Sequence, residues 1–312
     1  MSTQKNEKNN NPFKVTIAGI DFKNPIITAS GTFGFGQEYN QFYPISALGG
    51  VCTKGLTLLP REGNNGTRIA ETPSGILNSV GLQNPGVEKF IENEMPFLDS
   101  LDTVVIANIA GNTEEDYLAI TRRLETVDGV DMLELNISCP NVKEGGIAFG
   151  ILPQSVEKIT KAIKKTTSKP LIVKLSPNVA SISDNAKAAE SGGADVISLI
   201  NTVTGMAIDY KTRKPILTNI TGGLSGPAVK PIALRQVYEC KKAVKIPIIG
   251  IGGIMTASDV AEFMIAGASA VQVGSANIFD PKAAYSIVNE LTSILKQCKI
   301  DSINQLIGSL KT

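Results

Sequence analysis

The chain has 312 residues, of which 42% are hydrophobic, and this is enough for the core of one large α/β barrel or of two smaller domains. Its 30 basic and 29 acidic residues give a formal net charge of +1, so no overall field attracts nucleic acid or an anionic membrane. No segment approaches the roughly 20 apolar residues of a membrane-spanning helix. A small-molecule partner is the natural expectation, with neither nucleic acid nor a membrane involved.

The polarity of the N-terminus and the spacing of the cysteines predict the cellular location of the protein. Residues 1–12, MSTQKNEKNNNP, are too polar for a signal sequence or a membrane anchor, so they are predicted to form a polar tail before a single domain over residues 13–312. The 4 cysteines are scattered without a C-x-x-C pair, which favours a reduced, cytoplasmic location. Three of them, Cys52, Cys240 and Cys298, are interpreted as small buried hydrophobic residues.

Short apolar runs alternate with amphipathic segments, as is typical of strands that are each followed by a helix. Eight strands are predicted, over residues 25–29, 51–54, 103–109, 132–136, 171–175, 196–200, 247–251 and 270–274. Helices are predicted over residues 86–98, 114–127, 153–167, 180–191, 228–243 and 256–266, with a last one near 281–297. Because the strands are almost continuously apolar, as buried parallel strands are, this order predicts a (β/α)8 TIM barrel of the α/β class. A doubly wound parallel sheet is the alternative.

The segment TEEDYLAITRRL carries a clear helix start. Thr113 is predicted to cap the helix, and acidic residues follow in its first turn. Tyr117, Ile120 and Leu124 then recur along one face, which predicts the face that packs on the barrel.

Two insertions are longer than the other connections. Residues 55–102 follow the second predicted strand, and residues 201–246 follow the sixth. In a barrel such loops emerge at the carboxyl ends of the strands, where the active site is built. Their turn-rich texts, TPSGILNSVGLQNPG and NTVTGMAIDYKTRKP, are therefore interpreted as binding loops.

Polar residues and glycines stand where the predicted strands end, and there they are expected to face the site. They are Ser30, Gly31, Lys54, Asn108, Asn136, Lys174, Asn201, Gly252, Gly253, Gly274 and Ser275. Asparagine both donates and accepts, so it suits the edge of a planar heterocycle, although one asparagine alone is also a common turn residue. The glycines after the seventh and eighth strands predict a phosphate cradle of backbone N–H groups, although tight turns also use glycine.

Two lysines interrupt apolar text, Lys54 in VCTKGL and Lys174 in LIVKLSP. A lysine at such a position is costly to bury unless it meets an anion or a polar ligand. One interpretation is the Schiff-base nucleophile of an aldolase, and another is a cation that stabilises an anionic reduced flavin. An exposed lysine at a loop edge is the third, and the residues alone leave all three open.

Cys139 lies in NISCPNVKEGG, where an apolar run ends and a glycine-rich loop begins. The chain has 0 histidines and no cysteine at ligand spacing, which argues against zinc or an iron–sulfur cluster. A thiol, with an ordinary pKa of about 8.5, can take a proton from a carbon acid. Cys139 is therefore a candidate base, with a small buried hydrophobic residue as the alternative.

The chain resembles dihydroorotate dehydrogenases of the cytosolic class from about residue 13 to the C-terminus. The resemblance is carried by ASGTFGFG, TKGLT, ETPSGILNSVGLQNPG, ANIAG, ELNISCPNVKEGG, IVKLSPN, NTVTGMAID, GGLSGPA, GIGGI and VQVGSA, in this order. It implies an FMN-containing (β/α)8 barrel that oxidises dihydroorotate to orotate in pyrimidine biosynthesis.

The resemblance also implies roles for residues of this chain. Cys139 would remove the proton from C5 of dihydroorotate while a hydride leaves C6. The substrate would be held by Lys54, Asn78, Ser79, Val80, Gly81, Leu82, Asn136, Asn201 and Thr202. FMN would be bound by Ser30, Lys54, Gly55, Asn108, Asn136, Lys174, Ile200, Gly226, Gly252, Gly253, Gly274 and Ser275.

Within that family the chain looks most similar to the NAD-linked subtype. This subtype implies a homodimer flanked by two electron-transfer subunits that carry FAD and a [2Fe-2S] cluster and pass electrons to NAD+. A fumarate-linked dihydroorotate dehydrogenase and a dihydropyrimidine dehydrogenase-like enzyme are alternatives of the same chemistry. The Schiff-base aldolase, with Lys174 as nucleophile, and a noncatalytic binding barrel are the alternatives from other classes.

Overall fold

A computed structural model of the chain describes residues 11–137 and 149–311. Its centre is a closed barrel of eight parallel strands, each hydrogen-bonded to the next and the last to the first. We number them β1 (Ile26–Thr28), β2 (Gly50–Cys52), β3 (Val104–Ile109), β4 (Met132–Asn136), β5 (Leu171–Lys174), β6 (Val196–Leu199), β7 (Ile248–Ile251) and β8 (Ala270–Val273). The predicted (β/α)8 barrel is confirmed, and each of its strands lies within a residue or two of the predicted span.

Helices pack around the barrel at the predicted places. After β2 the chain forms Val87–Lys89, a π-helical turn Phe90–Glu94 and Met95–Asp99 as one continuous run. The other long helices are Glu114–Glu125, Pro153–Lys164, Ile182–Ser191, Lys230–Ala243, Ala257–Ala266 and Ala283–Cys298. A short helix, Ala276–Phe279, was not predicted. In the described residues no helix is both long and apolar enough to cross a membrane.

The predicted start of the helix Glu114–Glu125 is confirmed in detail. The Thr113 hydroxyl accepts a hydrogen bond from the backbone N–H of Asp116, and the Asp116 carboxylate accepts one from the N–H of Thr113. This capping box satisfies two N–H groups that the first turn cannot satisfy itself. Its buried face includes Tyr117, Ile120 and Leu124, as their spacing predicts.

The two long insertions form a second sheet that the binding-loop interpretation missed. Strands Ile69–Thr72 and Gly75–Asn78 from the first insertion join Val203–Met206 and Thr221–Ser225 from the second in one antiparallel four-stranded sheet. The glycine-rich texts VTGM and TGGLS lack the β-branched alternation that marks a strand. The sheet joins the loops after β2 and β6.

Two smaller pairs of strands complete the described structure. Val15–Ile17 pairs with Ile20–Phe22 next to the barrel, and Ile208–Asp209 pairs with Lys214–Pro215 in the second insertion. Residues 1–10 lie outside the described residues, so the polar tail and the domain boundary at residue 13 stay predictions.

Two of the three cysteines interpreted as buried are buried. Cys52 lies inside the barrel, and Cys240 lies on the buried face of the helix Lys230–Ala243. Cys298 is exposed, so this prediction is wrong. Cys298 is the last residue of the helix Ala283–Cys298 and lies one turn beyond Ile294, the last buried residue of that helix.

Replacing the cap tests how much the helix Glu114–Glu125 depends on it. We expect Thr113→Ala to lower the free energy of unfolding by about 1 kcal/mol, because one N–H group of the first turn loses its acceptor. Denaturant unfolding followed by circular dichroism measures the change. Thr113→Ser, which keeps the hydroxyl, is the control, and equal midpoints for the two variants would contradict the role.

Candidate active site

A fully buried carboxylate, that of Glu134 on β4, lies in the middle of the barrel. Its oxygens accept hydrogen bonds from side chains on other strands and form an ion pair with a lysine. The partners are the Asn108 Nδ2 at 2.7 Å, the Gln272 Nε2 at 2.7 Å, the Ser198 Oγ at 2.9 Å, the Cys52 Sγ at 3.4 Å and the Lys174 Nζ at 3.5 Å. Two of these, Asn108 and Lys174, are predicted FMN-binding residues. The structure therefore brings them together through a residue that was not predicted.

The charge of Glu134 is held by its surroundings. Burial by itself raises the pKa of this carboxyl, but the ion pair with Lys174 and three hydrogen bonds outweigh burial and leave the pKa below its ordinary value. Burial and the nearby carboxylate raise the pKa of the Cys52 thiol well above its ordinary value. Cys52 is thus a neutral donor to Glu134 and is not a reactive thiolate.

Lys54 follows β2 and is the second predicted lysine. A Cβ at Gly31 would lie 3.8 Å from its Nζ, which places the ammonium beside the end of β1. Burial lowers the pKa of Lys54, and the positive charge of Arg68 lowers it further. Among the described residues, no acceptor or anion pairs with this ammonium. A half-buried cation without a partner, next to a second cation, is suited to an anionic ligand.

The asparagines at the ends of β4 and β6 are directly joined. The Asn201 Nδ2 donates to the Asn136 Oδ1 at 3.2 Å, and the Asn201 Oδ1 accepts from the backbone N–H of Thr202 at 2.8 Å. The buried Tyr117 hydroxyl donates to the backbone oxygen of Asn136 at 2.7 Å. In the barrel register Asn136 pairs with Lys174, so this cluster adjoins the Glu134 network.

The predicted substrate loop starts at Asn78, the last residue of Gly75–Asn78. The Asn78 Nδ2 donates to the backbone oxygen of Gly223 at 3.3 Å, and a Cβ at Gly223 would lie 2.0 Å from the Thr202 Oγ1. The antiparallel sheet therefore brings Asn78 close to Thr202, although they are far apart in sequence.

The next four residues curve tightly against Asn64. The Asn64 side chain donates to the backbone oxygen of Ser79 at 2.8 Å, and its N–H donates to the oxygen of Val80 at 2.9 Å. Gly81 and Leu82 have positive φ values, of 81° and 57°. Leu82 takes a conformation that is uncommon for a residue with a side chain, as is typical of a constrained binding loop.

The predicted phosphate cradle is built from glycines that cannot be replaced freely. Gly252 and Gly253 follow β7 with φ of 124° and 74°, and Gly226 has φ of 110°. A Cβ at Gly253 would lie 2.8 Å from the backbone oxygen of Gly226, so these loops touch. In the described part of the chain, the loop hydrogen bonds include none from the N–H groups of Gly253, Gly274 or Ser275. Free N–H groups of this kind suit a phosphate.

The remaining predicted cofactor residues lie at the same end of the barrel. Ser30 follows β1 and is half-buried. A Cβ at Gly55 would lie 2.9 Å from the Asn108 Oδ1, so Gly55 covers that oxygen closely. Ile200 is buried, and its N–H donates to the backbone oxygen of Ile251 at 3.0 Å.

The residues fit FMN on two independent observations. The Asn108 Oδ1 is buried and has no hydrogen-bond partner among the described residues, although buried amide oxygens are almost always satisfied. It lies against Gly55 and therefore next to the site, where an N–H group of a planar ring can supply the missing bond. The glycine cradle with its free N–H groups fits the phosphate end of the same molecule.

Cys139, the predicted base, lies outside the described residues, which resume at Phe149. The residues before it, Asn136 and Ile137, are described and buried at the end of β4.

Sequence reasoning missed the charged and polar side chains inside the barrel, Glu134, Ser198 and Gln272, and also Arg68. A signal for Glu134 was present, because an acid within the apolar run MLELN is as anomalous as a lysine within LIVKL. Ser198 and Gln272 carry no such signal, since their roles depend on which strand they face.

Comparison with known proteins shows the family of the chain. The profile of the dihydroorotate dehydrogenase family matches residues 13–295. A Caldicellulosiruptor bescii protein named dihydroorotate dehydrogenase B (NAD(+)), catalytic subunit, is 56% identical over 297 residues, or 95% of this chain and 98% of that protein. A Thermoanaerobacter pseudethanolicus protein of the same name is 54% identical over 298 residues, or 96% of this chain and 98% of that protein.

Fold and site together define a (β/α)8-barrel enzyme whose polar groups converge at the carboxyl ends of the strands. The chain belongs to the dihydroorotate dehydrogenase family, whose profile covers the barrel almost completely. The predicted family and the predicted oxidoreductase class are thus confirmed, and the predicted likeness to the NAD-linked subtype agrees with the names of the relatives.

Removing the Lys54 ammonium, which has no partner among the described residues, should stabilise the ligand-free protein. We expect Lys54→Met to raise the melting temperature of the flavin-free protein by about 2 °C at neutral pH, because a costly buried charge is lost. A lysine with a lowered pKa destabilises most at pH below that pKa. The unfolded chain holds its proton up to an ordinary pKa of about 10.4, so the advantage of the variant should shrink as the pH rises through the lowered value.

Calorimetry between pH 7 and pH 10 measures this difference. Lys14→Met is the matched control, because Lys14 is exposed and pairs with Asp21 at 2.6 Å, so its removal should bring no stabilisation. If Lys54→Met melts at or below the wild-type temperature, the ammonium is not a source of strain.

Proposed function

We propose that the chain is the catalytic subunit of an NAD-linked dihydroorotate dehydrogenase, which oxidises dihydroorotate to orotate in pyrimidine biosynthesis. The observation that carries the proposal is that two groups at the mouth of the barrel, the Lys54 ammonium and the Asn108 oxygen, have no partner among the described residues. One group suits an anion, and the other suits the N–H of a planar ring. Membership of the family supports this assignment.

FMN is the cofactor that this site is proposed to hold, and when bound it supplies the acceptor for a hydride. Its ring would lie against Asn108 and Lys174, and its phosphate would meet the N–H groups of Gly253, Gly274 and Ser275. The other members of the cofactor set are Ser30, Lys54, Gly55, Asn136, Ile200, Gly226 and Gly252.

The substrate is an anion with alternating carbonyl and N–H groups on its ring. Lys54 is proposed to pair with its carboxylate, and Asn78, Asn136 and Asn201 to hold the ring edge. Thr202 and the loop Ser79, Val80, Gly81 and Leu82 would complete the enclosure. The contacts between Asn201 and Asn136, and between Asn78 and the strand that carries Gly223, support one shared pocket.

Cys139 is proposed to take the proton from C5 of the substrate. That proton lies next to a carbonyl group and is only weakly acidic, so a positioned base lowers the barrier, typically by a factor of about 10² to 10⁴ in rate. Asn136, which precedes Cys139 by three residues, is held both by Asn201 and by the Tyr117 hydroxyl.

The aldolase alternative is less well supported by the structure. A Schiff-base nucleophile needs an amine that is free to attack a carbonyl carbon, and the Lys174 Nζ is engaged by the buried Glu134 carboxylate at 3.5 Å. The fumarate-linked and dihydropyrimidine dehydrogenase-like alternatives share the barrel chemistry, so only their acceptors and substrates distinguish them.

Electrons are proposed to leave through a partner subunit that carries FAD and a [2Fe-2S] cluster, in a complex of two such subunits on a homodimer of this chain. The term "catalytic subunit" in the relatives' names supports the existence of a partner. The stoichiometry and the cytoplasmic location stay predictions.

The visible spectrum of the purified chain tests the proposal. We expect a flavin spectrum that bleaches when dihydroorotate is added without air, and reduction of NAD+ only when a partner subunit is supplied. Bleaching followed by electron transfer to fumarate without a partner would favour the fumarate-linked enzyme. A response to dihydrouracil with none to dihydroorotate would favour the dihydropyrimidine enzyme. A colourless chain that borohydride traps with a carbonyl ligand would favour the aldolase.

The base is tested by Cys139→Ser. We expect turnover near neutral pH to fall by about 10²-fold or more, with the flavin absorbance retained, because a hydroxyl is a far weaker base than a thiolate. Steady-state kinetics with a dye acceptor measures the loss. Cys298→Ser, at an exposed helix end, is the control and should keep its turnover. Normal turnover in the first variant would reject the assigned role.

A further inference from the structure

The two oxygens of the Glu134 carboxylate face different groups of partners. Oε2 accepts from Ser198 on β6 and Gln272 on β8, neither of which belongs to the predicted site. Oε1 accepts from Asn108 and pairs with Lys174, both of which do, and it also accepts from the Cys52 Sγ inside the barrel. One oxygen therefore anchors the carboxylate to the barrel, and the other presents it to two residues of the site.

The carboxylate also orients the amide of Asn108. An ionised carboxyl group only accepts hydrogen bonds, so it must face the Nδ2 of Asn108 and leave the Oδ1 on the other side. That oxygen has no hydrogen-bond partner in the described part of the chain and lies against Gly55 at the mouth of the barrel. Glu134 thus makes Asn108 an acceptor toward the site instead of a donor.

The Glu134 carboxylate also compensates the positive charge of one of the two lysines, Lys174. Lys174 and Glu134 are both almost fully buried, with side-chain exposures of 5% and 0%, so their charges are little screened by water. Lys54 has no such partner among the described residues. The two ammonium groups at this end of the barrel are therefore not equivalent, since only the charge of Lys54 lacks a compensating carboxylate there.

Stability alone gives no reason for this arrangement. Apolar side chains of similar volume often replace a buried ion pair with no loss of stability, and barrel interiors are usually filled by Val, Ile and Leu. A charged cluster at this depth is better explained by what it does for the site above it.

We propose that Glu134 is a positioning residue for the flavin: it fixes Asn108 as an acceptor and neutralises Lys174, so that Lys54 supplies the uncompensated positive charge. This inference rests on the proposed function, because it needs FMN at the carboxyl ends of the strands. Glu134 itself touches neither substrate nor cofactor in this role.

Glu134→Gln is the main test, since it keeps the shape and removes the charge. The wild-type and variant chains are freed of flavin, titrated with FMN by fluorescence, and then poised in a redox titration. We expect FMN to bind roughly tenfold more weakly, because the Asn108 amide loses its fixed orientation. We expect a more positive flavin midpoint potential, because an uncompensated Lys174 favours the anionic reduced flavin.

The same substitution, made in a chain that lacks Lys174, distinguishes the positioning role of Glu134 from a purely structural role. In a Lys174→Met chain, adding Glu134→Gln should leave the midpoint potential unchanged, because burial without the lysine keeps the Glu134 carboxyl protonated, so the substitution removes no charge. An equal positive shift in both backgrounds would overturn the assigned coupling. Glu88→Gln is the matched control, because it removes a carboxylate from the exposed ion pair with Arg123 at 2.7 Å and should change neither quantity.

Ser198→Ala provides a test should Glu134→Gln fail to fold. It removes one anchor of Oε2 and leaves every charge in place, so FMN should bind roughly threefold more weakly with an unchanged potential. Native FMN affinity in a folded Ser198→Ala chain would then overturn the proposal. A wild-type chain that binds no FMN would overturn the proposed function as well, whereas a yellow wild type with unaltered variants would overturn only the role of Glu134.

Discussion

The burial of one carboxylate constrains the whole barrel. Moving an ion of this size out of water costs several kcal/mol even after the protein relaxes, and only a complete set of partners offsets that cost. The partners of Glu134 come from β2, β3, β5, β6 and β8, so with β4 the network joins six of the eight strands. Because each of these strands must present one side chain at the same depth, the network also favours a single register.

The barrel could be predicted because its strands are apolar on both faces and the helix Glu114–Glu125 begins with a clear cap at Thr113. Strand positions such as LIVKL and VISLI need only local sequence to be recognised. The antiparallel sheet over the site could not be predicted in this way. Its strands contain Gly205, Gly222 and Gly223, whose extended conformation is stabilised by pairing between two distant insertions and not by their own side chains.

The candidate site also has a part that could be predicted from the sequence and a part that could not. Lys54, Lys174 and the asparagines could be predicted, because a polar residue that ends an apolar strand is anomalous wherever the chain folds. What each lysine meets could not be predicted, since it depends on side chains from other strands. Lys174 meets a carboxylate supplied by the protein, whereas Lys54 has no such partner among the described residues.

This difference between the lysines would let the proposed site serve two anionic molecules, the cofactor and the substrate. If both ammonium groups were uncompensated, their mutual repulsion and that of Arg68 would add to the cost of folding. If both were paired within the protein, an anionic substrate would gain little by entering. Neutralising one cation inside the barrel and leaving the other half-buried at its mouth keeps the folding cost to a single unpaired charge. In the proposed site, that charge would meet the carboxylate of the substrate.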